Sequence, residues 1–213
     1  QVAGQLNHPN IVQAYDFGQL GDEYFLALEW VEGASIAAVV RECRRSSMLP
    51  SLNVMLHVGI TLCEALAYAH NASDQDGRAF NLVHRDVTPG NVLVSGSGGV
   101  KLTDFGIVKT SLNAVLSRPD VLKGKLPYMS PEQVRCEPID ARSDVFSLAL
   151  VLYELITGQC PLSRGALGET MAAVTLGEVP PPSTLVPFPP ELETIPMRAL
   201  SPDPASRYLT AKA

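Results

Sequence analysis

The string His84-Arg85-Asp86-Val87-Thr88-Pro89-Gly90-Asn91, followed at Asp104-Phe105-Gly106 by a second acidic turn, decides how the rest of this chain is read. An Asp and an Asn five residues apart, with another Asp further on at the end of a strand, suit hard divalent cations beside a phosphate. Mg2+ takes one or two carboxylates or carbonyl oxygens together with phosphate oxygens, and keeps part of its water. Each residue alone also has an ordinary use. Asp86 can start a turn, Asn91 can cap a strand, and Asp-Phe-Gly is a common tripeptide.

Outward from this string, residues 91–95 and 100–103 are short apolar runs joined by Gly96-Ser97-Gly98-Gly99, a small hairpin. Towards the N-terminus, residues 11–17 and 24–31 are rich in β-branched and aromatic types and read as strands. Gly18-Gln19-Leu20-Gly21-Asp22 forms the connection between them. After Gly33 the pattern turns helical, and Ser51 precedes an apolar stripe at Met55, Val58, Leu62, Leu66 and Ala69. Residues 71–81 are polar, contain Asp76-Gly77 and read as a long loop. Residues 110–125 have no clean period and read as an extended loop. Ser143 is placed to cap a helix over 144–157 that is apolar nearly all round, and Gly158 ends it. Residues 180–190 are too dense in proline for a regular element. A last helix pair is expected around Ser201-Pro202-Asp203-Pro204, with helix continuing to Ala213.

The 213 residues are 46% hydrophobic and 18% charged, which excludes a disordered chain. The net charge is -6 and no block of Lys or Arg stands out, so nucleic acid and anionic membrane surfaces are excluded as main partners. Cys43, Cys63, Cys136 and Cys160 are scattered without metal spacing and read as free thiols of a reducing cytoplasm. The longest apolar run, 145–156, is broken by Ser147 and Glu154 and is too short to span a bilayer. No membrane segment is expected in this chain, although an anchor elsewhere in a longer protein is compatible with it.

Taken together and in order, these motifs resemble the eukaryotic-type serine/threonine protein kinase family in its bacterial form. That family carries H-R-D-x-x-x-x-N, then D-F-G, then a P-E that closes the activation segment. Here the last is Ser130-Pro131-Glu132, and Asp86 and Asp104 stand eighteen residues apart. The resemblance implies an α+β, two-lobe fold: residues 1–33 a small-lobe remnant with hinge, and 34–213 a mainly helical large lobe. It implies ATP and Mg2+ as cofactors and a protein substrate. Asp86 would be the catalytic base, and Asn91 and Asp104 would hold the metal over the phosphates. Positioning and charge neutralisation then do most of the catalysis. His84 and Phe105 would belong to the stack between the lobes, Glu132 and Arg207 to a buried ion pair, and Asp144 to a brace under the catalytic loop. Arg85 would meet a phosphorylated activation loop, since a phosphate brings about two negative charges. Leu28 would be the gatekeeper, Glu29 and Val31 would pair with adenine through their backbones, and Leu93 would lie under the ring.

Three departures shape the expectations. Thr88 stands where the family usually has Lys, and Lys125 where it usually has Thr. The two are read as exchanged, with Lys125 supplying the cation and the Thr88 hydroxyl bonding Asp86. Residues 118–123 contain no hydroxyl side chain, so Ser117 is the candidate phosphosite, with Asp120 as an alternative fixed charge. No G-x-G-x-x-G precedes the hinge, and the chain reads as a fragment whose glycine-rich loop and ATP-binding lysine lie before Gln1. It is therefore expected to be inactive alone and to expose the face of its first two strands. A pseudokinase or docking module, or less readily a small-molecule phosphotransferase, are the alternative functions.

Overall fold

A computed structural model of the protein describes residues 3–21, 23–105 and 124–213. Strands β1 (Ala14–Leu20) and β2 (Glu23–Leu28) form an antiparallel pair, from Ala14 opposite Leu28 to Leu20 opposite Glu23. The connection is shorter than the expected 18–22, because Gly18, Gln19 and Leu20 remain in the ladder and Gly21, with φ +62, takes the turn. Residues 11 and 12, expected in the first strand, pair elsewhere. Ile11 bridges Leu102 in parallel, and Val12 N–H donates to the Leu102 carbonyl at 2.9 Å. Tyr15, Phe17, Tyr24 and Phe25 are exposed on β1 and β2, with Phe17 stacked on Tyr24.

Residues 29–32 lead into β3 (Gly33–Ser35), which pairs with β4 (Val92–Ser95), itself paired with β5 (Val100–Leu102). Gly33 is required at this crossing, since a Cβ there would lie 2.0 Å from the Val94 carbonyl oxygen. Helix α1 (Ile36–Ser46) begins at once, its N-terminus capped by the Ser35 hydroxyl on Ala38 N–H.

Helix α2 (Leu52–His70) presents Val58, Leu62, Ala65, Leu66 and Ala69 to the core. By length and composition alone α2 could cross a membrane, but that stripe packs inside the domain. The chain continues through α3 (Pro131–Val134), α4 (Ala141–Thr157), α5 (Leu167–Leu176) and α6 (Pro190–Ala199). Fourteen of the seventeen residues of α4 are buried, because the helix lies between two apolar clusters. Leu148, Val151 and Leu155 join the α2 side, while Phe146, Leu150 and Tyr153 join Leu162, Val174 and Leu200. A helix buried on all sides needs no polar face. Each of its large side chains contributes about 1.5–3 kcal/mol by leaving water.

Two local expectations change. Helix α4 starts at Ala141, and its cap is Asp140, whose carboxylate accepts from Arg142 N–H; Ser143 turns inward to Glu132 instead. Residues 207–213 form turns, with no second helix after Pro204–Ser206.

Candidate active site

A 3-10 turn, Pro89–Asn91, swings the chain from the loop holding Asp86 into β4. Asn91 is thereby fixed twice. Its carbonyl accepts from Thr103 N–H at 2.9 Å, next to Asp104, and its Nδ2 donates to the Asp86 carbonyl at 2.9 Å and to Asp86 Oδ2 at 3.0 Å. Lys125 Nζ reaches the same Oδ2 at 2.5 Å. Among the described residues Asp86 Oδ1 has no partner, so one carboxylate oxygen is tied down and the other is available.

The Thr88 hydroxyl does not take the place expected for it. Among the described residues it makes no hydrogen bond to Asp86; the Asn91 amide and the Lys125 ammonium take Oδ2 instead.

Behind the loop stands Asp144, fully buried near the start of α4. Its Oδ2 accepts from His84 N–H at 2.7 Å and its Oδ1 from Arg85 N–H at 2.8 Å, while His70 Nε2 also meets Oδ2 at 2.7 Å. Arg85 has φ +69 and Asp104 φ +59, conformations that non-glycine residues hold only when their surroundings over-determine them. Burial pushes the His84 imidazole below its ordinary value, outweighing the pull of Asp144 and the other nearby acids. The neutral ring has one consistent tautomer: Nε2–H donates to the Thr103 carbonyl at 2.9 Å and Nδ1 accepts from Asp86 N–H at 3.3 Å. The ring lies 4.4 Å, centroid to centroid, from Phe105.

Glu132 and Arg207 form a bidentate pair at 2.7 and 2.9 Å, both buried. The Ser143 hydroxyl donates to the same carboxylate at 2.7 Å, so α4 holds the 124–134 segment through Ser143 and the 84–91 loop through Asp144.

At the hinge, Glu29 N–H donates to the Gln13 carbonyl at 2.8 Å, and the Glu29 carboxylate pairs with Lys101 of β5 at 2.8 Å. Burial raises the Glu29 carboxyl, but the bonds from Lys101 and Gln13 more than offset this and hold it below its ordinary value. Among the described residues the Glu29 carbonyl and both backbone groups of Val31 have no partner, which leaves them available to a flat heterocycle. Leu28 ends β2, and Leu93 lies in β4 directly across from Ser35.

The donor set fits Mg2+. With Nδ2 committed to Asp86, Asn91 offers Oδ1, and Asp104 offers an exposed carboxylate. Among the described residues no group of three or more His, Cys, Asp or Glu is assembled for a metal. One carboxylate, one amide oxygen and a ligand's phosphates are the hard-oxygen set this ion prefers. Gly106, Ser117, Asp120 and any loop phosphate facing Arg85 lie outside the described residues. An apolar groove of about 790 Å³ between α2, α4 and α6 includes none of these site residues.

Sequence reasoning missed three contributors: His70, Lys101 and Gln133. For His70 and Lys101 nothing in the sequence points to their partners. Gln133 was legible as the fourth member of Ser130-Pro131-Glu132-Gln133, an S-x-x-Q capping box.

Small antiparallel sheets before a helical body, with Asp86, Asn91 and Asp104 gathered by the 89–91 turn and the β4–β5 pair, make an α+β fold of the two-lobe kinase-like class. The chain belongs to the protein kinase domain family, whose model matches residues 1–212. It is 38% identical over its full length to the tyrosine-protein kinase MasK of Myxococcus xanthus. It is 33% identical, again over its full length, to the serine/threonine-protein kinase PrkC of Bacillus subtilis. Over 99% of its length it is 34% identical to the serine/threonine-protein kinase PknB of Mycolicibacterium smegmatis. The chain spans 33%, 31% and 33% of these three relatives, respectively.

Proposed function

We propose that this domain transfers the γ-phosphate of ATP to serine or threonine hydroxyls of a protein substrate, with Asp86 as the base and Lys125 as the cation beside it. The observation that carries the reading is the shared Asp86 Oδ2, held by Asn91 Nδ2 at 3.0 Å and Lys125 Nζ at 2.5 Å. Two donors on one oxygen fix the carboxylate plane and leave Oδ1 to accept the proton of an incoming hydroxyl. The metal, held by Asn91 and Asp104, would neutralise phosphate charge. Lys125, on a segment separate from the catalytic loop, orients Asp86 and places a positive charge where negative charge develops. Arg85, from the same loop, would pair with a phosphate at Ser117.

The hinge backbone at Glu29 and Val31 would take the adenine edge, between Leu28 and Leu93. The division into 1–33 and 34–213 follows from this assignment. Within these residues no G-x-G-x-x-G precedes the hinge, so turnover is assigned to the longer protein and only weak Mg-ATP binding to this stretch alone. Four free cysteines favour a reducing, cytoplasmic location for the domain.

The test is phosphotransfer from ATP to a model protein by the longer protein, followed by phosphoamino acid analysis. Asp86→Asn is expected to abolish transfer, and Lys125→Ala to lower kcat by about 10²–10³. Full turnover by Lys125→Ala removes the role given to that lysine. Phosphotyrosine as the sole product removes the serine/threonine assignment.

A further inference from the structure

We infer that Gln133 is a positioning residue for Asp86, acting through the carbonyl of Arg85. The inference rests on the phosphotransfer reading above for its consequence in turnover, but its geometry stands apart from it. Gln133 Nε2 donates to the Arg85 carbonyl at 2.9 Å, and its Oε1 accepts from Ser130 N–H at 3.0 Å and from the Ser130 hydroxyl at 3.1 Å. The orientation of the amide is not arbitrary. A backbone N–H faces one end and a backbone carbonyl the other, so oxygen must point to Ser130 and nitrogen to Arg85.

Capping does not by itself select glutamine, because Glu serves the N3 position of a capping box equally well. The Arg85 carbonyl does select it. A carboxylate there would place a negatively charged acceptor against another acceptor.

Arg85 needs holding. It sits at φ +69, immediately before Asp86. Its N–H is taken by Asp144 at 2.8 Å and its carbonyl by Gln133, so both peptide groups that set its strained conformation are anchored. The anchors form a closed circuit. Ser143 and Asp144, adjacent on α4, hold Glu132 and Arg85 respectively, and Gln133, adjacent to Glu132, returns to Arg85. Lys125–Asp86 is a second tie between the same two segments. Gln133 thus fixes the register in which Lys125 meets Asp86.

The substitution that separates this role from capping is Gln133→Glu, which keeps the acceptor for Ser130 and removes the donor to Arg85. In the 213-residue chain, amide exchange at Arg85 and Asp86 is expected to be about five- to tenfold faster than in the parent, with the acceleration confined to that loop and Tm lowered by no more than about 5 °C. Gln133→Met, which removes both ends, is expected to match that acceleration and to lower Tm further. In the longer protein Gln133→Glu is expected to lower kcat about tenfold at unchanged KM for ATP. Combined with Lys125→Ala, it is expected to be no slower than Lys125→Ala alone. Unchanged exchange at Arg85 and Asp86 overturns the inference. So does acceleration spread evenly over the domain with a fall in Tm, which marks a purely structural role. Faster exchange at these two amides in a protein whose parent form transfers no phosphate leaves the positioning intact and removes the reaction assigned above.

Discussion

Replacing Arg207 by Met tests how the large helical body holds the 124–134 segment. All five guanidinium N–H groups of Arg207 are used: two on Glu132, and one each on the carbonyls of Ser201, Arg142 and Pro202. The side chain is fully buried, and its guanidinium carbon stands 4.6 Å from the Phe146 ring centroid. Met keeps an apolar side chain in that place but leaves the Glu132 carboxylate with only the Ser143 hydroxyl and its own backbone N–H. Breaking a buried pair from one side costs about 3–5 kcal/mol. For a domain of this size that lowers Tm by about 2–4 °C per kcal/mol, or roughly 6–20 °C in all.

The pH dependence carries the sign. Burial pushes the Glu132 carboxyl up, but the bonds from Arg207 and Ser143 and the Arg207 charge overcome it and hold the group below its ordinary value of 4.5. A depressed carboxyl contributes stability that is present above pH 4.5 and is lost as the pH falls through its lower folded value. In Arg207→Met burial is opposed only by the Ser143 hydroxyl and the residue's own backbone N–H. The carboxyl then rises, and the variant recovers stability as the acid is protonated. Urea unfolding at pH 7 and pH 4.5 is therefore expected to show a gap between parent and variant that narrows on acidification. A loss below about 1 kcal/mol at pH 7, or a gap that stays constant across that range, would refute the assignment of this pair as a buried structural anchor.

Two further outcomes follow from local geometry. Gly33→Ala places a Cβ 2.0 Å from the Val94 carbonyl oxygen and 2.8 Å from Ser95 Cα, so β3 must part from β4, at a cost of about 1–3 kcal/mol; an unchanged urea midpoint contradicts this. The Cys160 thiol is pushed up to about 11, by burial first and then by Glu154, whereas Cys136 is exposed. At pH 8 iodoacetamide is expected to label Cys136 on the order of a hundredfold faster, as read by peptide mass spectrometry, and comparable rates contradict it.

Much of the candidate site's geometry was legible because its residues are close in sequence. Asp86 and Asn91 are joined by one short turn, and the hairpin between Asn91 and Asp104 is set by its own glycines and β-branched runs. The helix stripe at Val58, Leu62, Leu66 and Ala69 was readable for the same reason, since a 3.6-residue period is a local property. The Ser143 cap failed because two polar residues at the start of α4 competed. Asp140 took the backbone, while Glu132, distant in sequence, drew the Ser143 hydroxyl inward. The start of β1 shifted because residues 11 and 12 found partners in β5, some ninety residues away.

The sequence by itself determined the family: the order and spacing of Asp86, Asn91 and Asp104, and the 28–31 string that precedes them. It also read Thr88 and Lys125 as exchanged, with both side chains at Asp86. Only the tertiary structure decided that Lys125 meets Asp86 while Thr88 does not, that Arg85 is gripped at both ends, and that Gln133 joins two segments as well as capping a helix. The reason is physical. Spacing along a chain fixes which groups share a turn or a face, whereas contacts between residues 39 to 75 positions apart depend on how both segments pack against the one buried helix α4.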